Sequence, residues 1–118
     1  MSGGNWKEMF NAACEGDLAL VEYHVKAGVD TNYAHPEFLA TPLVACILAG
    51  QAQVALFLLD NGANPHLGSE FDGLTPIQAA RKMGMHQVEA KLSSLGVVAP
   101  AVQAKRAGWW ARLLRSAA

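Results

Sequence analysis

The sequence predicts an all-α solenoid of three stacked helix-turn-helix repeats with projecting hairpin-like loops, followed by a C-terminal amphipathic helix. Gly16, Gly50 and Gly84 recur at steps of 34 residues, and Gly28, Gly62 and Gly96 follow with the same step. Two glycine series in phase mean three copies of one unit. Residues 34 apart also keep their character, as in Met9, Leu43 and Ile77, in Ala12, Cys46 and Ala80, and in Leu20, Val54 and Val88. Stacking like upon like requires this. Thr-Pro pairs stand at Thr41-Pro42 and Thr75-Pro76. There the Thr side chain can accept from the exposed amides of a first turn, and Pro at the first helical position lacks only an unneeded N–H.

In chain order, the first copy lacks Thr-Pro but places Asn5 three residues before Glu8, a capping-box spacing, so its first helix is expected to start there. Each first helix is expected to be short and to end at the leading glycine of its pair, which can take the left-handed conformation of a chain reversal. Second helices are expected over 17–27, 51–61 and 85–95. The segments 29–40 and 63–74 carry Pro36, Pro65, Gly68 and Gly73, and are too long for a plain helical turn, so they read as hairpin-like loops. The organisation is a repeat domain over 1–96, with repeats at about 5–38, 39–72 and 73–96, and a basic tail over 97–118. In the last copy Arg81 stands where Ala13 and Ile47 stood, Glu89 where Val21 and Ala55 stood, and Ser93 where Val25 and Leu59 stood. Such a polar outer face is a cap, and no fourth repeat is expected.

The 118 residues are 52% hydrophobic and 16% charged, which suits one folded unit rather than a disordered chain. A net charge of −1 gives no sign of a polyanion-binding protein, so no nucleic-acid partner is expected. Residues 1–8 hold no apolar run to act as a signal peptide, and no stretch of about 18 apolar residues occurs anywhere. The two cysteines, Cys14 and Cys46, are too few for a disulfide framework. A cytoplasmic protein that neither enters the secretory route nor spans a membrane is expected. His24, His35, His66 and His86 are scattered, with no His-x-x-x-His or Cys-x-x-Cys pair to suggest a metal centre. The glycines sit at repeat ends rather than in a phosphate-cradling loop, and no nucleophile, base and orienter come together. Hence no enzyme, no cofactor and no small-molecule substrate are expected. His24 shares a column with Leu58 and Leu92 and reads as a partly buried ring. Cys14, in a column with Leu48 and Lys82, reads as a surface thiol, and Cys46 as a packing residue.

These residues resemble the ankyrin repeat family, whose pattern runs Thr-Pro-Leu-His, a small-residue pair, Gly, an apolar helix and Gly-Ala-Asp-x-Asn. The middle copy has Thr41-Pro42-Leu43-Val44, Gly50, the apolar run 54–59 and Gly62-Ala63-Asn64. The third has Thr75-Pro76-Ile77-Gln78-Ala79-Ala80, Gly84 and Gly96, and the first keeps Ala12-Ala13, Gly16, Gly28 and Asp30-Thr31-Asn32. Two departures stand out. Val44 and Gln78 replace the usual His, and a period of 34 rather than 33 gives each loop one extra residue.

The resemblance implies a non-catalytic protein-protein interaction module that grips another protein through its concave face and loop tips. By column, Trp6, Ala40 and Leu74 lie just before the first helices. Glu37, Phe38, Phe71 and Asp72 lie near the tips, and Cys14, Glu15, Leu48, Ala49, Lys82 and Met83 on the helices. The expected contact residues are Trp6, Glu37, Phe38, Leu48, Phe71, Asp72, Leu74, Lys82 and Met83, with the large apolar groups as anchors. Two readings of Phe38 and Phe71 stay open: contacts for a partner, or rings folded back to anchor the loops. A narrower variant is an inhibitor or immunity-type protein, whose acidic repeats would suit a basic partner.

Residues 1–96 hold five basic and ten acidic side chains, whereas the tail has no Asp or Glu and carries Lys105, Arg106, Arg112 and Arg115. Trp109 with Leu113, and Trp110 with Leu114, pair at i, i+4 against Arg112 and Arg115 on the other side. A helix of about three turns is too short to stand alone. The tail therefore needs support from the protein's own body, from a membrane surface or from a second protein. The membrane option makes the chain a peripheral membrane adaptor.

Overall fold

The computed structural model describes residues 2–34 and 36–97. Six helices run through them: α1 (Ser2–Glu15), α2 (Leu18–Lys26), α3 (Pro42–Leu48), α4 (Ala52–Asp60), α5 (Pro76–Met83) and α6 (His86–Ser94). They form three antiparallel pairs. The first helices stack α1 on α3 on α5 as an inner row, and α2, α4 and α6 stack behind them as an outer row. The second helices fall one residue inside each expected boundary.

The glycines explain why one geometry repeats. Gly16 and Gly50 have φ of 84° and 85°, in the left-handed region that only glycine enters without strain. The amide of the residue after each then reaches back to close the helix: Asp17 donates to Ala12 O, and Gln51 to Cys46 O, both at 2.9 Å. Met85 repeats the bond to Ala80 O at 2.9 Å. This is the Schellman closure, built three times on the small-residue column. That column is fully buried, because the inner helices approach each other there.

Thr41 and Thr75 cap α3 and α5 as expected, each accepting at Oγ1 from the amide three residues on. At Thr75 the box is closed from both sides, since the Thr75 N–H donates to Gln78 Oε1 at 2.9 Å. Gln78 thus takes over hydrogen bonding that the family's His would supply.

The start of α1 differs from the expectation. Asn5 lies inside the helix rather than capping it, and the helix has 14 residues rather than two short turns. No proline interrupts 2–15, and helical continuation brings Trp6 and Phe10, at i and i+4, onto one face where their rings stack at 5.0 Å. His24 is also more buried than expected, at 3% exposed, with its Nε2 2.7 Å from Glu8 Oε1.

Neighbouring layers are laced by side chains reaching across. Asn32 Nδ2 donates to Gly62 O at 3.1 Å, and Asn64 N donates to Asn32 Oδ1 at 2.6 Å. Gln51 Nε2 donates to Cys14 O at 3.2 Å, and Lys91 pairs with Asp60. On the third layer Arg81 and Ser93 are exposed and Arg81 Nε donates to Glu89 Oε2 at 2.9 Å, so its outward face is polar, as its sequence requires. His35 and the tail residues Trp109, Trp110, Arg112, Leu113, Leu114 and Arg115 lie outside the described residues.

Candidate partner-binding surface

The loops between helix pairs place the expected contact residues. The second loop closes on itself through an isolated antiparallel bridge between Ser69 and Leu74. The nearly buried Ser69 donates from Oγ to Asp72 Oδ2 at 2.7 Å, which fixes the tip. The two tips are then joined: Phe71 N donates to Leu39 O at 2.8 Å. Leu39 has φ of 53°, and Gly73, 34 residues later, has φ of 67°. One backbone bend thus recurs in both loops, although the first has leucine where glycine is the unstrained choice.

This register separates the two phenylalanines. The Glu37-Phe38 and Glu70-Phe71 pairs recur at 33 residues while the fold repeats at 34. Phe38 therefore occupies the column of Asp72, and Phe71 the column of Glu37. Phe38 turns inward, with its ring edge-to-face against Trp6 at 5.3 Å and Phe10 at 5.0 Å, and Lys7 Nζ 5.9 Å from its centroid. Phe71 is held only at its backbone, and its side chain is 74% exposed. The anchoring reading fits Phe38 and the contact reading fits Phe71.

Trp6 leaves the surface list. It is 1% exposed, and its ring packs on Phe10 and Phe38 and meets Tyr33 edge-on at 6.0 Å. The physical reason is the N-terminal extension of α1, which turns position 6 from a pre-helical residue into a core-facing one. Ala40 is likewise buried, and Leu48, Asp72 and Leu74 are half-buried. Glu37 and Lys82 are exposed, and Met83 is 42% exposed. Glu37 Oε1 accepts from Lys7 Nζ at 2.9 Å, which ties the first tip to α1.

Between the tips lies an open groove of about 300 Å³ lined by Phe10, Glu37, Phe38, Ala40 and Phe71. The structure brings Glu37, Phe38 and Phe71 together here, while Leu48, Lys82 and Met83 lie on the inner helices. Phe10 was not anticipated. Its signal was available, since it stands in the column of Val44 and Gln78 where the other copies have no ring, and four residues from Trp6.

Beside the groove, the half-buried Cys14 thiol is pushed up from its ordinary value, first by burial and then by the charges of Glu15 and Asp72. Burial above all pushes Cys46 up much further, and its Sγ lies 3.2 Å from Leu43 O. Neither is an activated nucleophile at neutral pH. Among the described residues no helix is long and apolar enough to cross a membrane, and no three His, Cys, Asp or Glu side chains are grouped to hold a metal ion.

No protein-family model matches the chain. A crystal structure of an ankyrin repeat domain from Acinetobacter baumannii does resemble it, with a TM-score of 0.68 and 33% identity, over 75% of this chain and 46% of that one. The chain belongs to the ankyrin repeat family. Among curated proteins this ankyrin chain is similar to human ARF GTPase-activating protein GIT1, 34% identical over 87 residues, which is 73% of this chain and 11% of that protein. It is also similar to Dauer abnormal formation protein 25 of Caenorhabditis elegans, 32% identical over 83 residues, or 70% of this chain and 21% of that one. The chain therefore spans only a tenth to a fifth of the length of these relatives. The ankyrin fold suggests a protein-interaction module and is typically non-catalytic.

Proposed function

We propose that this ankyrin chain is a non-catalytic module that binds a partner protein across its loop tips, with Phe71 inserting into the partner and the Phe10–Phe38 groove receiving a partner side chain in return. The observation that supports this reading is the 74% exposure of Phe71 on a tip fixed by hydrogen bonds on both sides. Burying such a ring releases about 1.5–3 kcal/mol, and a tip already ordered loses little entropy on binding. Glu37, Asp72 and Leu74 frame the anchor, and Leu48, Lys82 and Met83 extend the contact along the inner helices. Two reduced thiols suit a cytoplasmic setting. In the narrower variant the module occludes its partner's working surface, as an inhibitor or immunity-type protein does. The peripheral-membrane reading rests on Trp109, Trp110 and the tail cations, which lie outside the described residues.

The test is recovery of partners from the cells of origin on wild-type protein and on Phe71→Ala, with circular dichroism to establish that both are folded. Loss of a specific partner from the folded variant is expected. Equal recovery of every partner by both proteins contradicts the reading.

A further inference from the structure

The groove between the tips is apolar inside and acidic around. Its walls are the rings of Phe10, Phe38 and Phe71 with Ala40 between them. Around it stand the exposed Glu70 and Glu15, the half-buried Asp72, and Glu37, whose charge is shared with Lys7. Glu15 and Asp72 act together on the Cys14 thiol, so their field converges on the concave face from opposite sides, from α1 and from the second loop. The cations do little to offset this. Arg81 is engaged by Glu89 and Lys91 by Asp60, away from the groove, which leaves Lys82 of α5 as the other cation on the concave side among the described residues. An aromatic-walled recess within a negative rim selects one chemistry, a bulky apolar side chain with cations beside it in the sequence.

Building on the proposed binding role of this surface, we infer that the groove takes a partner-protein segment in which an aromatic or long aliphatic side chain is flanked by Lys or Arg. The apolar side chain fills the recess against Phe38 and Phe71, and the flanking cations lie against Glu70 and Asp72. Opposite charge gives fast encounter and excludes acidic competitors, while the recess sets the lifetime of the complex.

Three synthetic 12-residue peptides test this on the full chain by calorimetry or fluorescence anisotropy. One alternates Trp and Leu with Arg, the second has Glu in place of every Arg, and the third has Gln there. The Arg peptide is expected to bind at least tenfold tighter than the other two, weakening several-fold between 50 and 300 mM salt on the order expected for screened charges. Phe71→Ala should weaken it about tenfold and Glu70→Lys about three- to tenfold. Equal binding of all three peptides, or no binding of the Arg peptide, overturns the inference. If the Gln or Glu peptide binds best and Phe71→Ala abolishes it, the charge inference falls while the groove remains a binding site. If the Arg peptide binds but Phe71→Ala changes nothing, the groove itself is wrong. The chain's own tail carries the same chemistry, so a Trp109→Ala, Trp110→Ala variant forms the last arm. Unchanged peptide affinity supports a partner as the occupant, and a gain of threefold or more shows the tail in that place instead.

Discussion

Replacing Phe38 and Phe71 separately by alanine should give opposite outcomes from the same chemical change. Phe38 is half-buried and meets two rings edge-to-face at 5.0 and 5.3 Å. Truncating a fully buried Phe costs about 3–5 kcal/mol, and each aromatic pair contributes about 0.5–1.5 kcal/mol beyond area, so a half-buried ring with two such contacts should cost about 2–3 kcal/mol. For a fold of this size that lowers Tm by about 10–20 °C. Phe71→Ala removes a ring that touches mostly water and should change stability by less than about 0.5 kcal/mol. Thermal and urea unfolding followed by far-ultraviolet circular dichroism measures both. A Phe38→Ala protein as stable as wild type, or a Phe71→Ala protein destabilised by more than about 1 kcal/mol, would refute the division of the two rings.

Further expectations come from the backbone and the thiols. Gly50→Ala should cost about 1–2 kcal/mol because its φ of 85° disfavours a side chain. Gly16→Ala should cost more, since the added methyl would lie 2.5 Å from Gln51 Oε1 and displace the bond from Gln51 to Cys14 O; paired urea titrations would show the difference. Leu39→Gly relieves the positive φ while loosening the unfolded chain, and should leave the protein as stable as wild type or up to about 1 kcal/mol more stable by the same assay. Cys46→Leu should overpack the small-residue column and destabilise by about 1–3 kcal/mol. In native protein Cys14 should alkylate with iodoacetamide more slowly than a free cysteine, with its rate rising at higher pH, while Cys46 stays unreacted, as mass spectrometry would read. An ordinary thiol ionises near 9.0 and the folded value of Cys46 lies above that, so its contribution to stability is intact below about pH 9 and declines as pH rises further.

Much of the architecture was legible because glycine marks it. Each second helix is bounded by two residues that must turn left-handed, which left an error of one residue at either end. The beginning of α1 was not legible in that way. Column matching placed Lys7 opposite Thr41 and Thr75 and so suggested a helix start nearby, whereas the deciding signal was local: Trp6 and Phe10 share a helical face, and burying both rings outweighs the cap at Asn5. The polar face of the third layer could be read, since Arg81 and Glu89 replace apolar residues in otherwise apolar columns. The opposite fates of Phe38 and Phe71 could not be read from composition, because both sit in a Glu-Phe pair. The one-residue difference between the 33-residue recurrence of that pair and the 34-residue fold assigns one ring to the core and the other to solvent. Phe10 completes the groove only once α1 and the first loop are packed together, which is a tertiary fact.

The central claim is that the tip carrying Phe71 meets another protein, and a photo-crosslinking residue placed at position 71 in cells of origin tests it most directly. The same residue at position 93, on the polar outer face of the third layer, serves as the comparison. A discrete adduct of protein size from position 71, absent from position 93, is the predicted result. Adducts from position 93 with none from position 71 would contradict the account and move the interaction to the other side of the stack.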